Sequence, residues 1–199
     1  MHESEDWEAY FRLHVGRPVR SDFLDALGLV DAEAPRTAID LGAGDGTETS
    51  FLLREGWQVL AVDATAGLRA RVLRTAPAES AERLSVWETT FAQIEDLRPA
   101  TLIYAGMSLP FTTPAELRHT IDLITAALGP SGVFAGHFLG ENDDWSTRPG
   151  VTTLTRAELL TLLDRFTVQI HRESERDAPS GLGPKHWHTH FVVATRPSE

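Results

Sequence analysis

The residues best placed to do chemistry are in the run Ala38-Ile39-Asp40-Leu41-Gly42-Ala43-Gly44-Asp45-Gly46-Thr47. An apolar stretch there leads into three glycines at alternate positions. Glycine tolerates positive φ and lets a ligand approach the backbone where a helix begins. Twenty-one residues after Gly42, a second apolar run ends in Val62-Asp63-Ala64. A carboxylate at that point can accept hydrogen bonds from both hydroxyls of an adenosine ribose. Strand, Gly-x-Gly-x-Gly, helix, strand and acid together point to an adenosine-containing cofactor.

A dinucleotide fingerprint needs Gly-x-Gly-x-x-Gly, and the position of its third glycine is held by Thr47. The loop is instead preceded by an acid, Asp40. S-adenosylmethionine carries an amino group and a sulfonium and has no pyrophosphate, so carboxylates near the loop suit it.

The elements that must position these residues follow from periodicity and punctuation. Trp7, Tyr10, Phe11 and His14 recur at helical spacing, Gly16-Arg17-Pro18 ends that helix, and a second runs from Ser21 to Leu27. Strands are expected at Thr37–Leu41, Trp57–Val62, Leu84–Trp87, Leu102–Tyr104 and Gly132–Phe138, with two more at Phe166–His171 and Trp187–Ala194. Helices are expected at Thr47–Glu55, closed by Gly56, and from about Ala66 to Thr75. Phe91 to Leu97 reads as a loop with one turn of helix. Thr113-Pro114-Ala115-Glu116 is a capping box opening a helix that Gly129-Pro130 stops, and Thr155-Arg156-Ala157-Glu158 opens another, to Arg165. The expected fold is α/β: a Rossmann-like, doubly wound, mostly parallel seven-stranded sheet with an antiparallel C-terminal hairpin. Residues 1–199 are read as a single domain, with 1–34 a helical extension and 35–199 the cofactor-binding core.

Composition narrows the function. With 18 Lys+Arg against 29 Asp+Glu the net charge is −11, which disfavours nucleic acid, whose binders need a cationic face. There is no cysteine, hence no disulfide, thiolate nucleophile or cysteine-ligated metal. The acidic N-terminus lacks a secretory pattern, and no stretch approaches the ~18 apolar residues of a membrane span. The expectation is a cytoplasmic protein with a small-molecule partner, no nucleic acid and no membrane, which could pair as a homodimer.

On these motifs the sequence resembles the class I S-adenosylmethionine-dependent methyltransferases. Asp40-Leu41-Gly42-Ala43-Gly44-Asp45-Gly46 is similar to their first motif and Val62-Asp63-Ala64 to the acidic end of their second strand, and the likeness covers about residue 35 to the end. Trp7 with Tyr10, Gly16-Arg17-Pro18, Ser108-Leu109-Pro110-Phe111 and Lys185-His186-Trp187-His188 resemble small bacterial enzymes of the tellurite-resistance type. The resemblance implies that Asp40, Gly42, Ala43, Gly44 and Gly46 line the methionine end of the cofactor. It implies that Asp63 binds the ribose, with Ala64 and Thr65 near the adenosine and Ala105-Gly106-Met107 under the sulfonium. In the family the third strand often ends in Asp before an aromatic residue. Thr90-Phe91 stands there instead, so the adenine contact is altered or moves to a neighbour such as Gln93.

A substrate would lie outside the carboxyl ends of the parallel strands. There the segment Phe138 to Trp145 should meet the beginning of the last strand, with Tyr104 to Phe111 and the N-terminal helix as further walls. Candidate substrate contacts are Arg17, Phe111, Asp144, Trp145 and Trp187, and candidate catalytic groups are His186, His188 and Tyr10. His186, His188 and His190 alternate and so share one face. No metal is expected, because that strand runs into the core and away from the mouth. Methyl transfer from a sulfonium needs alignment and a dry pocket, and a base only for a hydroxyl or protonated amine. Two readings compete with a methyltransferase: a NAD-dependent oxidoreductase, and a non-catalytic binder of S-adenosylmethionine or its demethylated product.

Overall fold

The computed structural model describes Trp7, Phe11, His14 and residues 16–180 and 183–198. Trp7, Phe11 and His14 have helical backbone. The other members of that expected helix, Tyr10 included, lie outside the described residues. Helix α1 (Ser21–Leu27) buries Phe23 and Ala26. Then follow β1 (Thr37–Leu41), α2 (Thr47–Arg54), β2 (Gln58–Asp63), α3 (Leu68–Leu73), β3 (Leu84–Glu88) and β4 (Ala100–Ala105). A single 3₁₀ turn, Phe91–Gln93, sits between β3 and β4, where the sequence asks for one turn of helix. The second half comprises α4 (Pro114–Ala127), β5 (Leu128–Gly140), β6 (Thr153–Leu154), α5 (Arg156–Leu162), β7 (Thr167–Ser180) and β8 (Gly183–Thr195). Both capping boxes are formed: Thr113 accepts from the Glu116 amide and Thr155 from that of Glu158, and each glutamate reaches back to the cap backbone.

The strands join one sheet in the order β3-β2-β1-β4-β5-β8-β7. The first five are parallel, while β8 runs antiparallel to both β5 and β7. The order reverses between β1 and β4, so the loops after these strands open a crevice at the carboxyl edge, the ligand position in open α/β sheets. Apolar layers cover both faces. Ile39, Leu60, Ile103 and Phe134 pack under α4 and α5, and Ala38, Leu102 and Val133 pack with Phe23, Leu52 and Leu68 from α1 to α3.

Two features depart from expectation. Beside the seven strands of the main path, β6 pairs in parallel with the end of β5, Leu139 with Thr153 and Gly140 with Leu154. The terminal hairpin is also much longer than the two short strands expected. Register continues past His171 through Glu173↔His190, Glu175↔His188 and Asp177↔His186 to Ser180↔Gly183. Polar runs hide a strand from apolar patterning, yet cross-strand pairs of opposite character stabilise one. No helix among the described residues is long and apolar enough to cross a membrane.

Candidate functional site

The glycine turn is the centre of the crevice. Gly42, Gly44 and Gly46 all have left-handed backbone, with φ of 75°, 55° and 79°. Two of the three are demanded by the protein's own packing. A Cβ on Gly42 would lie 2.2 Å from Ser108 Cβ, and one on Gly46 would lie 2.8 Å from Val72. Ser108, after β4, donates from Oγ to the Leu41 carbonyl at 2.6 Å and so ties the two sides of the crevice together. Gly44 faces outward, toward the ring of Phe11.

Asp63, at the end of β2, comes to the same turn. Its Oδ2 accepts from the Gly44 amide at 2.9 Å and its Oδ1 from the Thr65 amide at 2.8 Å. Arg71 lies 3.6 Å from that carboxylate and donates to the carbonyls of Gly44, Thr65 and Ala66. The same guanidinium sits 4.8 Å above the Phe11 ring. Phe11 and Arg71 therefore form a roof over the acid and the turn. Sequence reasoning passed over both, since an arginine inside a helix gives no local sign that it closes on a loop 27 residues earlier. Ala64 is exposed and Thr65 half-buried beside Asp63, and Ala105 is buried at the end of β4.

Beneath the turn lies a polar cluster. Asp40, 3 % exposed, accepts from Thr49 Oγ1 at 2.6 Å. Burial, reinforced by the neighbouring Glu48 charge, pushes its carboxyl up to about 7. Its side chain is turned onto α2, so it stands under the loop as an acid that titrates near neutral pH. Burial would also raise Glu48, but hydrogen bonds and charge from Arg17 and Arg20 outweigh it and hold Glu48 below the usual range. Arg17, weighed as a substrate contact, is engaged by the loop: it bonds Asp45 at 2.9 Å and Glu48 at 2.5 Å. Tyr104, beside Asp40 in the sheet, keeps a buried hydroxyl without a hydrogen bond among the described residues.

Thr90 is exposed and caps the 3₁₀ turn through Gln93, while Phe91 packs against the core. Gln93 Oε1 is taken by Thr89 and Thr90. A surface hollow of about 480 Å³ opens alongside, lined by Trp87 to Thr89 and Gln93 to Asp96.

On the other flank, the segment after β5 meets the start of β8. The Asp144 amide donates to the His186 carbonyl, and the His186 amide to Asp144 Oδ2 at 2.7 Å. Asp143, 1 % exposed, holds Lys185 Nζ between its two oxygens at 2.5 Å and accepts from the amides of Trp145 and His188. Lys185 lies 3.6 Å from the Trp187 ring centre and 4.4 Å from that of Trp145. Burial pulls this ammonium down against the pull of Asp143. From there a row of aromatic rings runs back to the glycine turn: Trp187–Trp145 at 5.3 Å, Trp145–Phe111 at 5.9 Å, Phe111–Trp7 at 5.1 Å and Trp7–Phe11 at 6.2 Å. The structure thus brings Phe111, Trp145 and Trp187 together along one edge.

The two histidines are held differently from what a free base requires. His188 Nδ1 accepts from the Asn142 amide, so its proton is on Nε2, which donates to Glu173 at 3.0 Å. Both of its nitrogens are therefore occupied. His186 contacts Asp177 at 2.7 Å and Glu175 at 3.0 Å, and these acids raise its pKa. Both project to the face of β8 opposite Trp187, the residue that joins the aromatic row.

No family model and no curated protein matches the sequence. Solved structures do match the fold. TehB from Haemophilus influenzae has a TM-score of 0.75 at 14 % identity, over 96 % of this chain and 67 % of its own. The N-methyltransferase NodS from Bradyrhizobium japonicum WM9, in complex with S-adenosylhomocysteine, has 0.67 at 15 %, over 98 % of both chains. The Burkholderia thailandensis 1,6-didemethyltoxoflavin-N1-methyltransferase, with its namesake compound and S-adenosylhomocysteine bound, has 0.62 at 20 %, over 100 % of this chain and 92 % of its own. The chain has the mixed α/β, Rossmann-like fold of these methyltransferases, mostly parallel and closed by antiparallel strands.

Proposed function

We propose that the chain is an S-adenosylmethionine-dependent methyltransferase acting on a small molecule. The observation that carries this reading is the meeting of Asp63 with Gly44 at the crevice between β1 and β4. A carboxylate beside a left-handed glycine turn suits a ribose on one side and a cationic methionine end on the other, and the net charge of −11 suits a sulfonium. Bound there, S-adenosylmethionine supplies an already activated methyl group. Asp63 would exchange its bond to the Gly44 amide for the ribose hydroxyls, with Ala64, Thr65, Thr90 and Phe91 along the adenosine. The turn from Gly42 to Gly46, with Asp40 below it, would take the methionine end, and Ala105 would lie under the reacting centre. The aromatic row would wall the acceptor side and exclude water.

With His188 saturated and His186 on two acids, the reading favours an acceptor that already offers a lone pair and needs no general base. The whole chain is read as one cytoplasmic domain, residues 1–199, with 1–34 as an extension whose Arg17 grips the cofactor loop.

The test is thermal unfolding with S-adenosylhomocysteine and, separately, with NAD. Ligand at 100 times its Kd adds about 2.7 kcal/mol, a rise of about 5–10 °C for a chain of this size. The expected result is a rise with S-adenosylhomocysteine alone, lost in Asp63→Ala. A rise with NAD alone overturns the reading. Binding without methyl transfer to any acceptor in a small-molecule screen would make the chain a binder instead of an enzyme.

A further inference from the structure

Away from the crevice, the β7–β8 hairpin places two imidazoles and a carboxylate around one point. Glu173 of β7 is registered with His190 of β8, and His171 lies two residues before Glu173 on the same face. His171 Nε2 stands 3.2 Å from His190 Nδ1, and Glu173 Oε2 stands 3.9 Å from that same nitrogen. One donor atom from each of the three residues falls within 4.8 Å of the others. At metal–ligand distances of about 2.0–2.2 Å, neighbouring donors in a tetrahedral site are about 3.3–3.5 Å apart. The His171–His190 spacing is close to that geometry, and Glu173 would move closer to complete it.

We propose that His171, Glu173 and His190 bind a divalent transition-metal ion of the zinc class, which pins β7 to β8. Two nitrogens and one carboxylate oxygen are a borderline donor set, suited to Zn²⁺ or Co²⁺ and ill suited to Mg²⁺ or Ca²⁺. Part of a second shell is already in place. Glu173 Oε1 accepts from His188 Nε2 at 3.0 Å, which leaves Oε2 aimed at His190. His190 is fully buried, and its other nitrogen, Nε2, lacks a hydrogen bond of ordinary geometry. Glu173 is exposed, leaving a solvent side for a water as fourth ligand. Arg156 acts on His171 from the start of α5, but the Glu173, Glu175 and Asp177 carboxylates on this face outnumber it. The row of β8 histidines that the sequence presents is thus not the donor set, since two of the three donors come from β7.

The test uses the full chain, stripped with chelator and titrated with ZnCl₂ by calorimetry and with CoCl₂ by visible absorption. The expected result is one equivalent bound per chain, a higher Tm with Zn²⁺, and the intense visible bands of tetrahedral Co²⁺. Because His190 is in the core, the informative variants are His171→Gln and Glu173→Gln, with circular dichroism to verify their fold. Each should weaken Zn²⁺ binding by more than about 100-fold, exceeding what loss of an outer-shell partner brings. His119→Ala, on α4, should bind as the unaltered chain does. No stoichiometric binding, or binding that survives both substitutions, overturns the proposal and leaves a His–His hydrogen bond as the whole content of the cluster.

Discussion

Single residues at the crevice are held by two kinds of constraint, conformational and electrostatic. Gly42 combines a φ of 75° with a Cβ position 2.2 Å from Ser108. Gly42→Ala should therefore destabilise by about 1–2 kcal/mol from the backbone alone, with the steric clash added, and abolish S-adenosylhomocysteine binding. Adding Ser108→Gly should relieve the clash and leave the backbone part and the lost Ser108–Leu41 hydrogen bond, read as a partial return of Tm. Asp40 gives a pH dependence of definite sign. Its folded pKa of about 7 exceeds the ordinary value of 3.8, so the folded state holds the proton more tightly. Stability from this group is full below pH about 4 and is lost as pH rises through 7, by an amount of order 4 kcal/mol. Asp40→Asn should remove that slope. Urea unfolding at pH 5 and pH 8 should show the variant gaining more on the parent at the higher pH.

At the scale of elements, loops are fastened by buried ion pairs. The segment after β5 is held to β8 through Asp143 and Lys185, both nearly inaccessible. Removing one partner of such a pair leaves an uncompensated buried charge, so Lys185→Met should cost about 3–5 kcal/mol. Lys185→Met with Asp143→Leu should cost less than the sum of the single changes, as a double-mutant cycle by chemical denaturation would read. Arg17 fastens the other flank, spanning Asp45 in the turn and Glu48 in α2. Arg17→Met would leave Glu48, which is 2 % exposed, with Arg20 as its remaining cation, and should weaken S-adenosylhomocysteine binding together with stability. A loss of stability with unchanged affinity would separate the clamp from the cofactor site.

For the whole molecule, strand order sets the hierarchy of protection. β1, β4 and β5 are internal to the sheet and covered on both faces, whereas β3 and β7 are its edges. Hydrogen exchange should be slowest in β1, β4 and β5 and fastest in β7, with β8 intermediate. If the hairpin holds a metal ion, added Zn²⁺ should slow exchange in β7 and β8 and leave β1 unchanged.

What the sequence determined by itself is local and periodic. The turn from Gly42 to Gly46, the acid Asp63, both capping boxes and the parallel strands β1 to β5 were legible, because glycine, proline and cap residues act within a few positions of themselves. The antiparallel closing pair was legible too, though not its length: the charged run Glu173 to Asp177, beyond the expected strand, also pairs, since backbone pairing does not ask for apolar side chains. Only the tertiary structure decided which partner each polar group takes. Asp143 is not set apart from its neighbour Asp144 by the sequence, yet it is the buried counter-ion of Lys185. Arg71 and Phe11 reach the glycine turn from different segments, and His188 loses both ring nitrogens to Asn142 and Glu173. Such contacts join residues tens of positions apart. Their energies depend on burial and direction, and a sequence carries neither until the chain is folded.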